Sequence, residues 1–197
     1  MNRNIFLSII SLPISYSALI STDGIETMIR LADAMNQRMM SMKDVAGYKA
    51  RHGVLIEDFN RERKVLDETK KEAEKSSLDP LSVTQFIQAQ MDVGKAIQHR
   101  YFATWLSEPE WSWQPPDDLE DVRTTITNLD KTILHLISQQ IRNENGFGEE
   151  QEKELMKRLT APNITDGDRR YLVKSLNGIK TLQAARREPA VFASSRL

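Results

Sequence analysis

Residues 45–66, VAGYKARHGVLIEDFNRERKVL, decide how the chain is read. The stretch has the composition of one helix ending and another beginning, with Gly53 at the join. Lys49 lies before the join, and Asp58, Arg61 and Glu62 lie after it at i, i+3 and i+4, one face of a helix. Arg38 stands eleven residues before Lys49, and eleven steps of a helix return to within about 20° of the starting direction. Charges of both signs are thus gathered around a single helix–helix junction.

Working outward, 23–50 repeats apolar residues at three and four (Ile25, Met28, Ile29, Ala32, Met35, Met39, Met42, Val45), which predicts one amphipathic helix. A second helix is expected over 56–75 and a third over 80–106, with Pro80 suited to a helix start. Two prolines close a loop at 108–116, and a fourth helix follows over 117–143 with Leu119, Val122, Ile126, Leu129, Ile133, Leu136 and Ile137 as its stripe. Shorter helices are expected over 149–159 and 166–184, ahead of a frayed tail. Alternating β-branched segments are scarce. The fold class is therefore all-α, a bundle of about six helices built around three long ones.

The 197 residues suit one domain with a real core, and 27 basic against 28 acidic residues give no sign of a nucleic-acid partner. Residues 1–17 carry one early arginine, an uncharged apolar run (IFLSIISL, 5–12) and a small-x-small pattern at Ser15-Tyr16-Ser17. That predicts a signal peptide, cleaved between 17 and about 21, with the run too short to span a bilayer. The mature domain is then 18–197, exported to the periplasm or the medium and free of the membrane, with 149–197 as accessory helices and tail. There is no cysteine, so packing alone must hold the fold and thiol chemistry is excluded. Three histidines on separate segments lack metal-ligand spacing, and no glycine-rich phosphate loop or nucleophile elbow is present. No metal or cofactor is expected. A catalyst built on this chain works by positioning and charge.

The third segment adds Gln90, Gly94 and Gln98 at successive i+4 spacings, a polar stripe among apolar neighbours, and the fourth adds Arg123 beside Val122 and Ile126. The ordered set Arg38, Lys49, Ile56-Glu57-Asp58, Arg61-Glu62, then Gln90-x-x-x-Gly94-Lys95-x-x-Gln98, resembles the all-helical chorismate mutases. The apolar leader and Asp117-Asp118-Leu119-x-x-x-Arg123 resemble their exported subclass. The resemblance implies conversion of chorismate to prephenate by a Claisen rearrangement without cofactor. It also implies roles. Arg38 and Arg123 hold the two carboxylates with Arg61 in support, Lys49 and Gln98 donate to the ether oxygen, Glu62 binds the ring hydroxyl, and Asp58 orients its surroundings. Because Arg123 stands in the same chain, the resemblance further implies a self-contained site whatever the oligomer; a homodimer is expected, with each site within one chain. Two positions depart from the family pattern: Gly94 replaces a small polar residue, and Val65 stands where some relatives are polar. A non-catalytic exported binding or sensor bundle, or an inactive dicarboxylate-binding relative, is the alternative reading. The five residues Arg38, Lys49, Arg61, Gln98 and Arg123 discriminate: an enzyme requires them around one cavity.

Gln98 generates a pH prediction. An amide does not titrate, so turnover is expected to change little between about pH 5 and 8 on account of this position, whereas a carboxyl would lose its proton around pH 4.3. A pH–rate profile that falls steeply in that window, and is flattened by changing a different residue, contradicts the role given to Gln98.

Overall fold

A computed structural model describes residues 22–108, 113–144 and 146–187. The proposed signal peptide, Trp111 and the end of the tail lie outside the described residues. Among the described residues there are eight helices and no strand: α1 (Thr22–Met40), α2 (Met42–His52), α3 (Phe59–Lys75), α4 (Pro80–Ser107), α5 (Glu120–Glu144), α6 (Glu149–Arg158), α7 (Asp166–Asn177) and α8 (Leu182–Arg187). No helix among them is long and apolar enough to cross a membrane.

The six expected segments are all helical, but the first and the last are each divided. The first divides at Ser41, whose hydroxyl and backbone N–H both donate to the Gln37 carbonyl, at 3.1 and 3.0 Å. Serine bonding back to the preceding turn perturbs a helix without ending it. Val45 N–H still bonds to the Ser41 carbonyl, so Arg38 and Lys49 keep their common direction across the break. The last segment divides after Asn177. There the chain leaves the helix to pair with the α3–α4 turn, with Asp79 N–H donating to the Lys180 carbonyl at 2.8 Å and Leu182 N–H to the Ser77 carbonyl at 3.1 Å. Backbone groups that would end a helix unpaired are satisfied across the molecule instead.

The apolar stripes read from the sequence form one core. Leu31, Met35 and Met39 of α1 meet Ile133, Leu136 and Ile137 of α5, and Phe86, Ile87 and Ile97 of α4 lie in the same cluster. Helix α3 packs on α4, and α6 and α7 pack on α1 and α4. Helix starts are capped as their sequences suggest. The Asp79 carboxylate accepts from Ser82 N–H at 2.8 Å with Pro80 as the first helical residue, and the Thr165 hydroxyl and Asp168 carboxylate cap α7 reciprocally.

Trp105 and Trp113 cover one end of the bundle. Trp113 stacks on Trp105, and Trp105 on Tyr101, with ring centroids 5.4 and 5.2 Å apart. Trp113 is seated over Gly47 of α2 because nothing larger fits: a β-carbon there would lie 2.6 Å from Trp113 Cζ3 and 2.8 Å from Pro115 Cβ. Overpacking costs about 1–3 kcal/mol and outweighs the roughly 1 kcal/mol of helix propensity that alanine would return. Gly47→Ala is therefore expected to lower the urea midpoint followed by tryptophan fluorescence; a raised midpoint contradicts this packing.

Candidate active site

The α2–α3 junction shapes the site. Gly53 closes α2 in the left-handed conformation (φ 62°), with its N–H on the Ala50 carbonyl and Val54 N–H on the Lys49 carbonyl. Glycine adopts that conformation without a side-chain penalty, and the reversal satisfies the last carbonyls of the helix. The chain turns back so that the Ile56 carbonyl accepts from Lys49 Nζ at 2.5 Å. Asp58 then caps α3, one carboxylate oxygen accepting from Arg61 N–H at 3.0 Å and the other 3.6 Å from Arg123 of α5.

Around this junction lies a cavity of about 470 Å³. Eight of the residues singled out in the sequence line it: Arg38, Lys49, Asp58, Arg61, Glu62, Val65, Gln98 and Arg123, while Gln90 is fully buried outside it. Gly94 does not line it either. It is buried beneath Met42, whose sulfur would lie 2.9 Å from a β-carbon at that position, and Met42 forms the wall in its place. Gln98 Nε2 donates to the Gly94 carbonyl at 3.2 Å and lies 3.5 Å from the Met42 sulfur.

Arg38 and Lys49 are almost fully buried, at 3% and 6% exposure. Burial pulls the Lys49 ammonium below its ordinary range; the carboxylates of Asp58, Glu57 and Glu62 oppose the shift and the Arg123 guanidinium adds to it. Two partners escaped the sequence reading. Asp130 of α5 holds Arg38 Nε at 2.7 Å, and Lys95 of α4 holds the Glu62 carboxylate at 3.1 and 3.3 Å. Burial lowers the pKa of Lys95, but hydrogen bonds and charge from Glu62 and Asp92 outweigh it and hold the ammonium above its usual value. A signal for Asp130 exists: it lies four residues after Ile126 and three before Ile133, an acid inside an apolar stripe. Among the described residues no group of three or more His, Asp or Glu is arranged to hold a metal ion.

The family model for chorismate mutase type II matches residues 29–99, the span from α1 to Gln98 and its neighbour. A monofunctional chorismate mutase of Enterobacter agglomerans is 43% identical over 150 residues, covering 76% of this chain and 82% of the relative. The chain belongs to the chorismate mutase family. A secreted chorismate mutase of Yersinia pestis is 36% identical over 149 residues, covering 76% of this chain and 80% of the relative. The crystal structure of secreted chorismate mutase from Yersinia pestis superposes with a TM-score of 0.72 and 34% identity, over 77% of this chain and 97% of that one. The family's all-helical fold is thus present over about three quarters of the chain, and Arg38, Lys49, Asp58, Arg61, Glu62, Gln98 and Arg123 converge on one cavity of this mutase-family chain.

The Lys49 shift is measurable without substrate. In a lysine-selective NMR titration the Lys49 amine is expected to lose its proton below the ordinary value of 10.5. Asp58→Asn, which keeps a capping oxygen but removes the opposing charge, should lower it further. An amine that titrates with the surface lysines contradicts the burial.

Proposed function

We propose that this chain converts chorismate to prephenate within the cavity between α1–α2, α3, α4 and α5. The observation that carries the proposal is the convergence of Arg38, Lys49, Arg61, Gln98 and Arg123, all of one chain, on a single cavity. The relatives named above support the reaction, and the names of the secreted relatives support export.

The substrate is a dicarboxylate that must fold back on itself before its bonds rearrange. Guanidinium groups grip carboxylates through paired N–H donors, so Arg38 and Arg123, on different helices and supported by Arg61, hold the folded conformer. Restricting the substrate to that conformer removes an entropic part of the barrier. As the C–O bond breaks, negative charge grows on the ether oxygen. Lys49 and Gln98 aim there. Lys49 is held by the Ile56 carbonyl, and the Gln98 Nε2 donors rest on the Gly94 carbonyl and on the Met42 sulfur, a weak acceptor that the ether oxygen outcompetes. Donors fixed in advance stabilise that charge more than the ground state. Glu62, held by Lys95, accepts from the ring hydroxyl, while Asp58 keeps the start of α3 and Arg123 in register. Met42 and Val65 give an apolar wall, and Gly94, out of reach, offers the carboxylate no side-chain contact. No step requires a cofactor. The resemblance to the exported subclass supports a homodimer whose sites are each built by one chain.

The test is direct. Purified protein is mixed with chorismate, the loss of its ultraviolet absorbance is followed, and prephenate is assayed as product. Conversion is expected, with Lys49→Ala reducing kcat by about a hundredfold or more, as for removal of a fixed donor to a developing oxyanion. No conversion by folded protein leaves the binding-module reading instead.

A further inference from the structure

We infer that Asp130 is a positioning residue for Arg38, and that it fixes which edge of the guanidinium the substrate carboxylate meets. The inference rests on the proposed role of Arg38. Arg38 (α1), Asp130 (α5) and Gln90 (α4) bring three helices to one point. Nε of Arg38 donates to Asp130 Oδ1 at 2.7 Å, and Nη1 donates to the Gln90 backbone carbonyl at 3.3 Å. Both charged side chains line the cavity, with Arg38 3% and Asp130 9% exposed.

A guanidinium offers five N–H groups in one plane, and a carboxylate is gripped through an adjacent pair of nitrogens. The side edge, formed by Nε and Nη2, is interrupted because Asp130 already occupies the Nε donor. Nη1 gives one of its two N–H groups to the Gln90 carbonyl, so the other, with Nη2, is what remains for a second carboxylate. Asp130 therefore decides the direction from which the substrate is held, and with it the orientation of the folded conformer.

Charge alone argues against an acid here. An aspartate in the wall of a cavity that binds a dicarboxylate repels the substrate and partly neutralises the cation meant to attract it. Asp130 offsets the charge of the buried Arg38, but a single backbone carbonyl or a neutral acceptor at this place would also satisfy that N–H, so the offset alone does not fix where the acceptor stands. What the carboxylate supplies, and an apolar residue does not, is a fixed acceptor for one chosen N–H. The substrate carboxylates keep their charge throughout the rearrangement, so misdirecting their clamp weakens the hold on the substrate and shows in KM, and by loosening the folded conformer it lowers kcat as well.

Two variants separate position from charge. Asp130→Asn keeps an acceptor oxygen and removes the charge; Asp130→Glu keeps the charge and moves the acceptor by a methylene. Steady-state kinetics with chorismate are measured for both, with thermal unfolding to establish that each is folded at the assay temperature. Positioning predicts that D130N stays within about threefold of the unaltered protein in KM, a hydrogen bond being retained. It predicts that D130E raises KM by about tenfold to a hundredfold, the range a displaced binding group costs. Where D130E does not fold, Asp130→Leu, with neither acceptor nor charge, replaces it with the same expectation. The reverse order, or equal KM values in all active variants, overturns the role of Asp130 and leaves the function standing. Failure of the unaltered protein to convert chorismate overturns the function itself, and the role of Asp130 with it.

Discussion

Two cations buried on one helical seam set the terms for the whole molecule. Arg38 and Lys49 have lost nearly all contact with water, and an ion moved into a protein interior loses several kcal/mol of hydration that specific partners must offset. Each offset comes from a different element. Asp130 of α5 and the Gln90 carbonyl of α4 serve Arg38, and the Ile56 carbonyl beyond the Gly53 reversal serves Lys49. The contacts that make the cations tolerable are also contacts that hold α1–α2 against α4, α5 and the start of α3. Site and fold share one set of interactions, so the cavity is shaped before any ligand arrives.

Much of this was legible in the residues. Helical periodicity named every helical segment, and the spacing from Arg38 to Lys49 survived the division at Ser41 because the hydrogen-bonded rail runs on through that residue. The division at Gly178 was not legible, because its cause is not local: the strand-like pairing of Leu78 with Thr181 joins residues about a hundred positions apart. The same limit hid Asp130 and Lys95. Periodicity shows that a residue faces inward or sideways, but not which charge on another helix it will meet. Spacing along one helix marks the charged positions; which of them pair across the bundle, as Asp130 does with Arg38 and Lys95 with Glu62, it does not carry.

Gly94 shows how a departure from a family pattern is absorbed. Read from sequence, it removes a polar side chain from the site. In the fold Met42, an unbranched and adaptable side chain, closes over the glycine, its sulfur 2.9 Å from where a β-carbon would be and its body part of the cavity wall. The neighbouring Gln98 then bonds to the carbonyl of Gly94 itself. Glycine and methionine act as a pair, and the backbone of α4 keeps a polar function at a place where the side chain has none.

The two arginines proposed for the substrate carboxylates are not equivalent, and the difference follows from burial. Arg38 is enclosed and its partner lies at 2.7 Å, so its direction is set by the fold. Arg123 is about two-fifths exposed and its contact with Asp58 is 3.6 Å long, in the range where exposed ion pairs contribute little. An exposed, weakly held guanidinium exchanges partners at small cost, whereas a buried one does not. A dicarboxylate entering such a cavity meets one clamp that dictates orientation and one that adapts to it. In the proposed site the fixed arginine lies on the core seam and the adaptable one in the first turn of α5, next to Leu119 of the cavity wall, so one end of the substrate is placed by the fold and the other by the ligand itself.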